Sequence, residues 1–158
     1  MKLSDFFVVE SIIPELNAQD RNGAIQELVQ SLGAAGAVEA ADADVIVKAA
    51  VARERAGSTG FGKGVAVPHV DKCDRIRKMV ATIGRSSRGI DFDALDRAPV
   101  YIVVLLLSPP NDPDAHLAAM ERIFRHLQRD NFRKFLRQAE TREAIQELIA
   151  EADEMQDG

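Results

Sequence analysis

Val100-Tyr-Ile-Val-Val-Leu-Leu-Leu107 is the longest apolar stretch of the chain. Both alternating sets of its side chains are apolar, and a strand carries that pattern when layers cover both of its faces. Eight residues are strand-sized and far short of the ~18 apolar residues of a membrane span. The stretch therefore predicts the central strand of a sheet with packed layers above and below. Upstream, Lys78–Gly84 (KMVATIG) predicts a second strand, and Val65–Val67 is a short apolar run that ends at Pro68-His69. Phe6–Ile13 is apolar, partly alternating and stopped by Pro14, which predicts a further short strand.

Helical spacing fills the intervals. From about Asp20 to Leu32, residues Ile25, Leu28, Val29 and Leu32 recur at i, i+3, i+4 and i+7, the period of one helical face. Gly33 and Gly36 supply its stop. Asp42 predicts the cap of a second helix with Val45, Ile46, Ala49 and Ala52 inward, closed by Gly57. After a turn at Ser108–Pro113, Asp112-Pro113 is a cap followed by proline at the first helical position. Leu117, Met120, Phe124 and Leu127 form the expected core stripe of that helix. Short helices at Phe132–Gln138 and from Thr141 to about Glu151 complete the chain. The expected class is α/β: a single layered domain over 1–158, with a central mixed β-sheet flanked by helices on both faces.

Composition narrows the function. The chain has 158 residues, 46% of them hydrophobic and 28% charged, values usual for a water-soluble domain. The net charge of −5 argues against nucleic acid, whose phosphates want clustered positive charge. With one cysteine, Cys73, no intrachain disulfide forms, which fits a reducing cytoplasm. Cys73 lies four residues after His69, yet a metal site lacks two more well-spaced ligands. Cys73 thus reads as a small buried or half-buried residue, and neither a metal nor a cofactor is expected. The start, MKLSDFF, lacks the apolar core and cleavage site of a leader. The expected setting is the cytoplasm, without direct membrane insertion.

Gly57-Ser-Thr-Gly-Phe-Gly-Lys63 imitates a phosphate-cradling P-loop. The next residue is Gly64, so no hydroxyl follows to hold Mg²⁺, and the order helix–loop–strand is the reverse of the P-loop's strand–loop–helix. The glycines still allow close approach of backbone, either as a plain turn or as a nest of N–H groups for an anion. A Ser-His-Asp hydrolase is excluded because no G-x-S-x-G elbow exists.

His69 follows a proline that stiffens the backbone and pushes Val67 toward extended geometry. A neutral imidazole is nucleophilic near pH 7 and can carry a labile phosphoryl group. The stretch around it is specific. Arg53-Glu54, then Ser58-Thr-Gly-Phe-Gly-Lys-Gly-Val-Ala-Val-Pro-His69, resembles the signature of the phosphotransferase enzyme IIA family of the fructose/mannitol/nitrogen type, R-E then S/T-T-G-I-G-x-G-V-A-I-P-H. Gly89–Asp96 (GIDFDALD), Pro99–Pro109 and Asp114-Ala-His-Leu117 resemble further segments of that family, in order along nearly the whole chain. The nitrogen-regulatory members are the nearer type.

The resemblance implies that His69 accepts phosphate from the carrier protein HPr, or a nitrogen-branch relative, on Nε2. It implies that Arg53 pairs with the phosphoryl oxygens and that His116 sits beside His69. A planar guanidinium fork suits phosphate, and phosphoryl transfer is catalysed largely by positioning and charge stabilisation. At the start of a helix, His116 is expected to stay neutral. Thr59 and Gly60 are candidate phosphate contacts, with a bond to His69 or simply holding the turn as the other readings for Thr59. Glu54 either pairs with a nearby base or faces solvent. His126, ten residues after His116 and about 80° round the helix, is expected to be a surface or packing residue. Phe61, Lys63 and Arg97 depart from the family pattern without removing a reacting group. Downstream, the phosphoryl group either switches binding to a regulatory target or passes to a cysteine of a IIB domain for sugar uptake.

Overall fold

The structure, a computed structural model, describes residues 1–155. Four strands form one sheet: β1 (Val65–Ala66), β2 (His69–Val70), β3 (Val80–Ile90) and β4 (Val100–Leu107). β4 is central, as its doubly apolar sequence predicts. β3 runs antiparallel to it, with Val80 opposite Leu107 and Ile83 opposite Val104. β1 and β2 run parallel to it, against Ile102–Val103 and Leu106–Leu107. They are one strand line broken at Val67-Pro68. The sheet is therefore mixed.

The alternation along β4 feeds two cores. Ile102, Val104 and Leu106 pack with residues of α3 (Pro113–Leu127), α4 (Asp130–Gln138) and α5 (Arg142–Glu154). Val103, Leu105 and Leu107 pack with residues of α1 (Arg21–Ala34) and α2 (Ala43–Ala56). Helices thus cover both faces, and both sets of β4 side chains leave water. Side chains cap three of these helices. Asp20 accepts from the Gly23 amide at the start of α1, Asp112 from the Ala115 amide at the start of α3, and Thr141 from the Ala144 amide at the start of α5.

Five expectations change. Phe6–Ile13 is not a strand; it contains a 3-10 turn at Val9–Ser11 and touches the sheet at single bridges, Phe7 with Ala81 and Ile13 with Gly84. The Ser11 hydroxyl bonds Val8 O and Thr82 Oγ1, coiling the segment locally instead of extending it. The strand expected at Lys78–Gly84 begins at Val80 and continues to Ile90. In α2 the buried line is Ile46, Ala50 and Glu54, while Val45 is exposed. Consecutive apolar residues made two faces equivalent by pattern. Asp42 gives no side-chain cap there and bonds Arg75 instead. In α3 the inner line is His116, Ala119, Ile123, His126 and Leu127; Met120 and Phe124 flank it, and Leu117 is 67% exposed.

Candidate functional site

The site hangs from a buried carboxylate. Glu54, in the last turn of α2, is 1% exposed. Its two oxygens accept from the Thr59 amide at 2.6 Å and the Thr59 hydroxyl at 2.7 Å. The same hydroxyl oxygen accepts from the Val67 amide at 3.0 Å. A carboxylate this deep persists only when hydrogen bonds replace its water. Here they tie the helix end, the glycine loop and the strand line together. Neither sequence reading of Glu54, a paired base or a solvent-facing residue, anticipates this.

The loop between them is tightly packed. Gly60 donates its amide to Ser58 Oγ at 3.0 Å and accepts from the Leu95 amide at 2.8 Å. A Cβ on Gly60 would lie 2.8 Å from the Ala94 Cβ, so any larger residue forces the loop apart. The amide and hydroxyl of Thr59 are thus engaged by Glu54 and Val67, and the amide of Gly60 by Ser58.

Pro68 has no N–H and interrupts the strand line. Both main-chain polar groups of Val67 are met by side chains: its amide by Thr59, its carbonyl by Nδ1 of His69 at 2.9 Å. A carbonyl only accepts, so Nδ1 carries the proton. In the neutral ring Nε2 then holds the lone pair. His69 is half-buried and held in the sheet opposite Leu106.

His116 comes from the first turn of α3. Its ring centroid is 5.5 Å from that of His69, with the planes 44° apart. The ring is 7% exposed, and its Nδ1 is 2.6 Å from the hydroxyl of Ser108, at the end of β4. Burial lowers its pKa, the nearby His69 lowers it further, and Asp71 opposes them. His116 is thus held neutral at physiological pH. A cleft of about 250 Å³ opens beside it, lined by Asp71, Lys72, Pro109, Pro113, His116 and the exposed Leu117.

Arg53 lies one residue before Glu54, on the exposed side of α2, and α2 packs against β2. One guanidinium nitrogen donates to Gly57 O at 3.0 Å, anchoring the side chain at the mouth of the loop. It makes no other hydrogen bond or ion pair among the described residues. The structure thus brings His69 and His116 together and places Thr59 and Gly60 in the frame that holds His69. Sequence reading missed Ser108, because nothing marks one serine after an apolar run. Cys73 is buried, as expected, and burial raises its pKa. No group of three His, Cys, Asp or Glu capable of holding a metal occurs among the described residues.

His126 is the packing residue that sequence left as one of two readings. It is buried beside Phe132, with neither ring nitrogen hydrogen-bonded among the described residues. Burial lowers its pKa, and Arg129, Arg122 and Arg125 add to this against Asp153. The unfolded chain then takes up this proton at about pH 6.5, while folded His126 does so only at lower pH. This proton linkage costs nothing above that pH, and stability is lost as pH falls below it. His116 shifts in the same direction, so the comparison needs a variant. His126→Leu should raise the melting temperature by a few degrees at pH 7.5, from about 1 kcal/mol of relieved burial cost. The gap should widen toward pH 5.5. A gap constant across that range in thermal melts refutes the assignment.

Residues 5–152 match the family described as "Phosphoenolpyruvate-dependent sugar phosphotransferase system, EIIA 2", and the chain belongs to that family. It is 34% identical over 151 residues to a nitrogen regulatory protein of Bradyrhizobium diazoefficiens, covering 95% of each chain. It is 31% identical over 153 residues to the PTS system fructose-specific EIIABC component of Bacillus subtilis. That match takes in 97% of this chain but spans about a quarter, 24%, of the relative's length. The crystal structure of nitrogen regulatory protein IIA-Ntr from Neisseria meningitidis shares the fold, with a TM-score of 0.82 at 23% identity over 93% of this chain and 98% of that one.

No helix of the described residues is long and apolar enough to cross a membrane.

Proposed function

We propose that this chain is a phosphohistidine carrier in which Nε2 of His69 takes a phosphoryl group from an HPr-like protein, and that the phosphorylated state regulates a target. One observation carries the reading: the Val67 carbonyl claims the Nδ1 proton, so the nitrogen left as nucleophile is Nε2. The Nε2 lone pair attacks phosphorus, the donor's N–P bond breaks, and the donor nitrogen recovers its electron pair. As the new bond forms, the ring of His69 gains positive charge, and the carbonyl facing Nδ1–H stabilises it. Arg53 supplies a fixed cation for the phosphoryl oxygens, and His116 a neutral hydrogen-bonding group. Thr59 and Gly60 act by fixing the loop and Val67 rather than by direct contact with phosphate. The likeness to a nitrogen regulatory protein along nearly the full length of both chains supports the regulatory role.

The fructose-specific relative supports a second reading, in which the group passes on to a IIB cysteine. The test is incubation with enzyme I, HPr and phosphoenolpyruvate. One acid-labile, base-stable phosphate should form, and ³¹P–¹⁵N coupling should place it on Nε2 of His69. Phosphate on Nδ1, or on another residue, overturns the proposal. Transfer onward to a panel of IIB cysteines separates the two readings. Arg53→Ala should slow acquisition about 10²-fold, the scale for losing one donor aimed at developing charge, with an unchanged melting temperature. An unchanged rate removes Arg53 from the site.

A further inference from the structure

The geometry points to Ser108 as a positioning residue: its hydroxyl donates to Nδ1 of His116 and so places that ring's proton on Nε2. His116 then presents a hydrogen-bond donor beside the nucleophile. This rests on the reading of His69 as phosphoryl acceptor, and adds a residue and a protonation pattern to it.

Counting donors and acceptors gives the direction. Ser108 is fully buried. Its amide donates to Val70 O at 2.9 Å, and its carbonyl accepts from the Cys73 amide at 2.7 Å and the Lys72 amide at 3.3 Å. Among the described residues its hydroxyl has one partner, His116 Nδ1 at 2.6 Å. A hydroxyl has one proton to give. If Nδ1 of His116 donated to the serine oxygen, that proton would point into packed protein with no acceptor. If the serine donates, the proton and the ring nitrogen satisfy each other. A neutral imidazole whose Nδ1 accepts carries its proton on Nε2.

The two rings therefore hold opposite tautomers. His69 is protonated on Nδ1, toward a carbonyl, and keeps a lone pair on Nε2. His116 is protonated on Nε2 because a hydroxyl occupies its Nδ1. The difference matters because phosphoryl oxygens are anionic. An N–H of His116 attracts them, whereas a lone pair repels them. Burial of His116 and its place in the first turn of α3 keep the ring neutral, so the tautomer is defined. Asp71 acts in the opposite direction and favours its protonation.

Long-range ¹H–¹⁵N spectra of the unphosphorylated chain at pH 8 test this without any transfer. His116 should show a pyrrole-type Nε2 and a pyridine-type Nδ1, and His69 the reverse. In Ser108→Ala the His116 signals should move toward the average of the two tautomers while those of His69 stay in place. Ser108→Thr should keep the wild-type signature. Phosphate acquisition should fall about tenfold in Ser108→Ala, the usual cost of removing a partner that orients a functional ring, and recover in Ser108→Thr. A pyrrole-type Nδ1 on wild-type His116 overturns the inference, as does an alanine variant with wild-type tautomer and rate. Failure of the underlying reading looks different: no phosphate reaches His69 in any variant, whatever the spectra show.

Discussion

His69→Ala should take up no phosphate, while the protein should keep its fold. The side chain is half-buried and makes one hydrogen bond among the described residues, to Val67 O. Its loss costs about 1 kcal/mol, a shift of only a few degrees in melting temperature for a domain of this size. The chemical loss is complete because nothing nearby replaces the ring. His116 is the nearest imidazole, at 5.5 Å between centroids, but it is 7% exposed and one of its nitrogens is engaged by Ser108. An incoming phosphorus needs an accessible lone pair, and His69 alone of the two rings offers one. Intact mass spectrometry at alkaline pH, after incubation with the phosphoenolpyruvate-driven carriers, should show one added PO₃ on the wild type and none on the variant. Label surviving on His116 would mean that the two histidines exchange roles.

Glu54→Ala should damage both stability and transfer. The carboxylate is the sole acceptor for the amide and hydroxyl of Thr59 among the described residues. Without it, two buried donors lose their partners, at roughly 1–3 kcal/mol each before relaxation. A net loss of about 3 kcal/mol corresponds to a fall of about 6–12 °C in melting temperature. Below the melting transition, transfer should still be slowed at least about tenfold, because Thr59 no longer fixes the Val67 amide and the carbonyl that orients His69 moves with it. Glu54→Gln keeps one acceptor and should fall between the two. A melting temperature within 2 °C of wild type in Glu54→Ala, by scanning calorimetry, refutes this account. So does a variant of lowered stability that transfers at the normal rate, which would show that the carboxylate serves the fold alone.

Parts of this arrangement were readable in the chain itself. β4 was legible because eight consecutive apolar residues, too few to span a membrane, have few fates other than a buried strand. The start of α3 was legible because Asp112-Pro113 is a local signal, set by groups three residues apart. His69 was singled out by the motif around it, and the structure sets it beside His116. What failed depended on distant partners. Phe6–Ile13 has strand composition, but the Ser11 hydroxyl meets Thr82, 71 residues on, and the segment coils. The α2 face could not be chosen by periodicity, since the line that turned inward ends on Glu54, a residue that any apolar count places outside. Leu117 was expected in the core, yet two histidines occupy the inner line of α3 and leave it beside the cleft. Ser108 gains its role only when the end of β4 meets the start of α3.

The clamp on Nδ1 of His69 is a peptide oxygen, not a side chain. Many catalytic histidines lean on a carboxylate for this service, and such a partner can be neutralised by acid, displaced to another rotamer or deleted by one codon change. The oxygen of Val67 is present whichever amino acid occupies position 67, carries no charge to lose, and is insensitive to ionic strength. Orientation of the His69 ring is in this respect protected from mutation: it can be spoiled by moving the backbone, but not by rewriting the residue that provides it.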